Sequence, residues 1–192
     1  MYTLILDTSS TIALIAVAKA DIICACHSYI HENQLSTSFF PSIERLLSSY
    51  PRIDKIAVGI GPGSYTGTRV GVTIARTLSF GLKVVYQSFY SPLAYLPPRL
   101  GRFSFLLPHK SGRSLVIQGV QKENFLESTD PEFIENLEIC KKITGSDYII
   151  SESSLDLSIP RYLPAVNPQA LLPLLKNISP NQKIFYHHTL PI

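Results

Sequence analysis

Residues 56–82, IAVGIGPGSYTGTRVGVTIARTLSFGL, limit the fold more than any other part of the chain. The apolar, β-branched run 56–60 predicts a buried strand closed by glycine. Gly61-Pro62-Gly63 then predicts a tight turn, because proline presets its own φ and glycine accepts a positive one. Ser64 and Thr66 are both N-cap residue types, so a helix is expected to start there and run through Leu82. On that helix Val70, Ile74 and Leu78 form one stripe, with Gly67, Gly71 and Ala75 on the stripe beside it. A mid-helix glycine costs about 1 kcal/mol relative to alanine, so two of them one turn apart predict a neighbour packed very close to that backbone. The same strand, turn and helix aim several N–H groups and a positive helix end at one point, which suits an anion. Close packing and anion binding both stay open on these residues alone.

Two common phosphate motifs do not fit. A mononucleotide loop needs a Gly-Lys pair, and the chain has none. The dinucleotide fingerprint fails at its sixth position, which is Thr66, and the next expected strand (83–86) offers no carboxylate for a ribose.

Ahead of this unit, residues 2–6, 12–18 and 22–29 read as three strands of an antiparallel meander. Asp7-Thr8-Ser9-Ser10 is the first turn; its carboxylate and hydroxyls suit Mg²⁺ and phosphate, and equally suit a turn. Residues 36–49 read as an amphipathic helix with Phe39, Ile43, Leu46 and Leu47 on its apolar stripe, and Pro41 in its first turns. Helix, strand, turn, helix and strand then make a parallel crossover beside the meander. Residues 88–96 read as a short helix, and Pro97-Pro98 marks a boundary between lobes 1–97 and 98–192. Beyond it come strands at 103–107 and 114–120. A helix opens at Asp130-Pro131 with Phe133, Ile134, Leu137 and Cys140 facing inward. A strand follows at 148–150, a helix from Asn167-Pro168 to 175, and a strand at 183–186.

The stretch GIGPGSYTGTRVGVTIARTLSFGL resembles the GxGPGSFTGxRxGxxxAxGLA block of the TsaB (YeaZ) family. Weaker similarity covers Ile5-Leu6-Asp7-Thr8-Ser9 and the helix around Phe39-Phe40-Pro41. The resemblance implies an α/β, actin/Hsp70-like (ribonuclease H-like) fold, a mixed sheet with helices and a smaller second lobe of reduced architecture. It implies a non-catalytic partner of TsaD in the threonylcarbamoyladenosine modification of tRNA. The two first-lobe helices would then meet the partner through Phe40, Gly67, Arg69, Val70, Gly71, Thr73, Ile74 and Ala75. Such a face also suits a homodimer, and a TsaE-like ATPase and tRNA would join through the complex. The first hairpin would border a nucleotide cleft holding Asp7, Thr8, Ser9, Gly61, Gly63, Ser64 and Thr66. No catalytic residue, metal ligand or cofactor of its own is assigned, and nucleotide is left to the complex.

Bulk properties agree with a globular chain: of 192 residues, 45% are hydrophobic and 16% charged, which is enough chain to bury a core. The net charge of +3 is scattered and forms no concentrated basic face for gripping RNA alone. Three cysteines argue against a disulfide framework, and Cys24 and Cys26 are expected as small core residues. No signal peptide or membrane span is apparent, so the chain is expected in the cytosol. His27 and His31 in a strand would sit about 13 Å apart, too far to share a metal. His187-His188 are expected to face solvent, and Arg69 and Arg76 either to be solvated or to meet carboxylates or phosphate. The competing reading is an enzyme acting alone. It would be an actin-like ATPase or phosphotransferase built on Asp7 and the glycine turn, or a metallopeptidase.

Overall fold

In the computed structural model the described residues are 1–30, 35–109, 112–152 and 158–176, with side chains given from residue 39 onward in the second span. The sequence expectations for His31, strand 183–186 and His187-His188 fall outside the described residues.

The meander forms as its alternating apolar runs require: β1 (Tyr2–Asp7), β2 (Ile12–Lys19) and β3 (Ile22–Ile30) pair antiparallel in sequence order. The helix α1 (Leu35–Ser49) leads to β4 (Lys55–Gly59), which pairs parallel with β1, Thr3 opposite Lys55. The helix α2 (Tyr65–Leu82) carries the chain over to β5 (Val85–Phe89), parallel to β4. The first sheet is thus ordered β3-β2-β1-β4-β5. Its middle strands are mostly apolar and buried on both faces, with Asp7 and Lys55 as buried charged exceptions at the ends of β1 and β4. Phe39, Ile43 and Leu46 seat α1 on this sheet. Pro41 is the seventh residue of α1, beyond the first turn, so the helix interior lacks one N–H.

A 3-10 turn (Ser91–Tyr95) and the two prolines lead into the second sheet. There β6 (Gly101–Pro108) and β7 (Arg113–Lys122) form a long hairpin. Two short strands, β8 (Phe125–Ser128) and β9 (Glu132–Glu135), share the far edge of β7. After the short helix α3 (Ile139–Ile143), β10 (Tyr148–Ile150) lies parallel to β6, and β11 (Arg161–Tyr162) parallel to β10. A final 3-10 turn (Pro168–Leu171) runs into α4 (Leu172–Leu175). One apolar core joins Leu4, Ile15 and Phe89 of the first sheet to Phe103, Ile117 and Tyr148 of the second. A smaller cluster of Leu106, Val116, Ile134, Ile143 and Ile149 sits on the other side of the second sheet. Two mixed sheets carrying helices are the α/β architecture expected from the sequence.

Four expectations change. Lys83 does not begin a strand; it ends α2 in the left-handed conformation, and the strand runs later, to Phe89. The expected helix at 88–96 shrinks to the 3-10 turn, because β5 continues through residue 89. Cys24 and Cys26 are exposed, since β3 is an edge strand and bulges at Cys24, which is left unpaired opposite Val17 and Ala18. After Asp130-Pro131 the chain enters β9 instead of a helix, and only Ile134 of the four supposed inward residues is buried there. Leu137 is 95% exposed, and Cys140 faces solvent too. Pairing with β7 supplied more than local cap chemistry did.

This difference has a direct check in urea unfolding. Leu137→Ser is expected to leave stability within about 0.5 kcal/mol of the parent. Ile134→Ala, which empties the smaller cluster, is expected to cost about 2 kcal/mol or more. A helix with Leu137 inward would reverse the order.

Candidate functional site

The carboxyl ends of β1 and β4 bring the Asp7–Ser10 turn against the Gly61–Ser64 turn and the start of α2. The contact is backbone on backbone. A Cβ on Gly63 would lie 2.2 Å from the Ser9 carbonyl oxygen, and one on Gly67 2.1 Å from that of Thr8. A Cβ on Gly71 would lie 2.5 Å from Thr8 Oγ1. Thr8 Oγ1 donates to the Gly67 carbonyl at 2.6 Å, and the Ser64 N–H donates to the Ser9 carbonyl at 2.6 Å. Gly61 has φ +83°, which only glycine adopts readily, and its bond to Pro62 is cis.

The small stripe of α2 is therefore occupied from within. Gly67 and Gly71 are buried against the chain's own first turn, and Ile74 and Ala75 are buried in the core, so these four of the residues expected to meet a partner do not face outward. The close neighbour implied by the glycines is Thr8. Among the other four, Arg69 and Thr73 are exposed, Phe40 is 52% exposed and Val70 is half-buried.

The anion reading meets the same geometry. Ser64 is the N-cap, its Oγ accepting from the Gly67 N–H at 3.3 Å, while Thr66 is exposed and caps nothing. Asp7 is fully buried: Oδ1 accepts from the Ser9 N–H at 2.9 Å and from Ser91 Oγ at 3.2 Å. Gly59 leaves the room for this carboxyl, since a Cβ there would lie 2.5 Å from Asp7 Cγ. Burial pushes the Asp7 carboxyl above the usual range, against the opposing hydrogen bonds from Ser9 and Ser91. Asp7 Oδ2 and Ser9 Oγ are buried without a hydrogen-bond partner among the described residues. Beside them lies a cavity of about 100 Å³ between the two sheets, lined by Ser9, Ser10, Pro62, Tyr95 and Glu152 among others. Small-molecule sites run to about 300–1,000 Å³. The lining holds no lysine or arginine to balance a phosphate. Asp7, Thr8, Ser9, Gly61 and Gly63 do come together, then, but as an interlock and not as an open cradle.

What the packing leaves outward is a ridge of α2. Tyr65, Arg69, Thr73, Arg76 and Phe80 share about 80° of the helix surface, and all are exposed. Arg69 stacks on the Tyr65 ring, 5.0 Å from its centroid, and bonds its hydroxyl. Arg76 lies over Tyr86 at 5.9 Å. No acidic residue occurs anywhere in α2. Tyr65 and Phe80 are not among the residues expected from the sequence, although their helical spacing from Arg69 and Arg76 is the signal that would find them.

Residues 28–86, which include β4, the glycine turn and α2, match the family described as TsaD, tRNA N6-adenosine threonylcarbamoyltransferase. Over 89 residues the chain is 37% identical to the tRNA threonylcarbamoyladenosine biosynthesis protein TsaB of Bacillus subtilis (strain 168). Both similarities point to the TsaB/YeaZ family for the first half of the chain. The aligned part is 44% of this chain and 38% of that relative. Two solved structures from Pseudomonas aeruginosa share the fold. One is an uncharacterized protein with similarity to peptidase YeaZ, with TM-score 0.74 and 16% identity over 91% of this chain and 90% of its own. The other is YeaZ, with TM-score 0.67 and 14% identity over the same shares. At such identities the likeness speaks for the fold. Among the described residues no helix is long and apolar enough to cross a membrane.

Two measurements test this site. Gly67→Ala is expected to cost about 1–3 kcal/mol or more in urea, because the Thr8 backbone cannot step aside, whereas Thr73→Ala stays within about 0.5 kcal/mol. The second concerns pH. The raised Asp7 pKa means that the folded state holds this proton more tightly than the unfolded one, whose pKa is about 3.9. Its contribution to stability is complete below that value and is lost as pH rises through the folded pKa. Relative to Asp7→Asn, the parent should therefore lose stability as pH climbs from about 4. A parent that gains on the variant over that range contradicts the assignment.

Proposed function

We propose that the chain is a non-catalytic subunit that binds a TsaD-like protein and supports threonylcarbamoylation of the adenosine next to the tRNA anticodon. The observation that carries this reading is the use made of α2. Its glycine face is consumed by Thr8, and its opposite ridge is left exposed with two arginines, two aromatics and no acid. Such a ridge suits a protein partner: arginine and tyrosine are the residue types that dominate binding energy at interfaces. Phe40 adds an exposed apolar anchor from α1. The similarity to TsaB and the match to the TsaD family support a TsaD-like partner. A TsaE-like ATPase and tRNA would join through that complex in the cytosol, and a second copy of this chain would compete for the same ridge.

The interlock speaks against the enzyme reading, because Mg-nucleotide would need the Asp7 turn and the Gly61 turn apart. Calorimetry with Mg-ATP on the chain alone is expected to be silent; tight binding with turnover would favour the enzyme. For the partner, Arg69→Glu with Arg76→Glu is expected to weaken co-elution with the TsaD-like protein by about tenfold or more. The double variant should unfold in urea like the parent. Unchanged co-elution would discard the ridge. Gly71→Leu, a natural choice for blocking a small stripe, is expected to damage the fold itself.

A further inference from the structure

Residues 167–176 leave the second sheet and return to the first. The Asn167 N–H donates to the Ala94 carbonyl and its Nδ2 to the Leu96 carbonyl, both at 2.7 Å. Gln169 Nε2 donates to the Asp21 carbonyl at 2.9 Å, and Lys176 Nζ lies 2.5 Å from Asp21 Oδ1. Ala170, Leu171, Leu172 and Leu175 are buried in the core shared by the two sheets. The 3-10 turn of this segment packs on the Ser91–Tyr95 turn and on β3, and α4 packs on β8.

Lys55 meets its end. The side chain is 7% exposed, and Nζ donates to Gln87 Oε1 at 2.9 Å and to the Leu175 carbonyl at 2.5 Å. No carboxylate pairs with it among the described residues. A buried charge held by neutral oxygens alone is costly. Here it satisfies the Leu175 carbonyl in the last turn of α4, where helix carbonyls need partners from outside the helix. Lys55 opens β4 and stands opposite Thr3, at the strand ends remote from the Asp7 and Gly61 turns.

We propose that residues 167–176 are a strap that clamps the two lobes, running from the Ser91–Tyr95 turn to the opposite strand ends, with Lys55 as its latch. Hinge closure and opening around a ligand needs a few residues free to change φ and ψ. The strap ties Ala94, Leu96 and Asp21 to one rigid turn, so the lobes keep one angle and the cleft keeps its small volume. The chain is then a fixed platform, whatever docks on its α2 ridge.

Hydrogen exchange read by mass spectrometry on the full chain tests this. In Lys55→Met, amides of 167–176 and of the turn at Asp21 should exchange about tenfold faster or more, with β6 and β7 within about twofold of the parent. Acceleration spread equally over β1, β6 and β7, or none in the strap, would overturn the proposal. Should Lys55→Met fail to fold, Gln169→Ala with Lys176→Ala decides instead, since both side chains are outside the core. A rise of a few-fold confined to the strap and the Asp21 turn supports the latch, and an unchanged pattern there rejects it.

Discussion

The hydrogen bond from Thr8 Oγ1 to the Gly67 carbonyl, made across two helical glycines, is the contact on which the first sheet and its helices depend. It joins segments 59 residues apart. It can form only because nothing projects from Gly67 or Gly71 into the space that the Thr8 turn fills. The loss of helix propensity at each glycine is offset by bringing helix backbone and strand turn into direct contact. Once α2 is set by this contact, its rotation about its own axis is set too. The ridge from Tyr65 to Phe80 faces away because the glycine stripe faces in.

Buried charge tells a complementary story at the two ends of the same strand pair. Asp7 closes β1 and Lys55 opens β4, and no ion pair holds either among the described residues. Asp7 is held by N–H and O–H donors, Lys55 by carbonyl and amide oxygens. Each therefore binds a neighbouring segment instead of a counter-charge: the first draws in the Ser9 and Ser91 turns, the second draws in α4. Burial moves both groups toward their neutral forms, the carboxyl upward and the ammonium downward. In the low dielectric of the core such bonds are strong, and expensive to leave half-made. The first sheet is braced at both ends by buried polar contacts.

Legibility in the sequence followed how local each cause was. The meander, α1, β4 and α2 were readable because hydrophobic period, N-cap and turn residues all agreed. The family block lay on those elements as well. The second sheet was readable only in its long hairpin and at β10. β8, β9 and β11 have two to four residues each, too few for a period to show, and they exist because β7 and β10 offer edges. Asp130-Pro131 carried a valid helix-start signal and still preceded a strand. The exposure of Cys24 and Cys26 likewise depended on β3 being outermost.

Residues 56–82 alone determined that a buried strand, a glycine turn and a long helix follow one another, and that something must lie against Gly67 and Gly71. Which neighbour that would be, only the tertiary structure decided. Thr8 reaches the helix because β1 lies parallel beside β4, a pairing between distant segments that no local pattern encodes. From that choice came the closed cleft, the inward glycines and the outward arginines, since one helix cannot offer the same face to its own fold and to a partner.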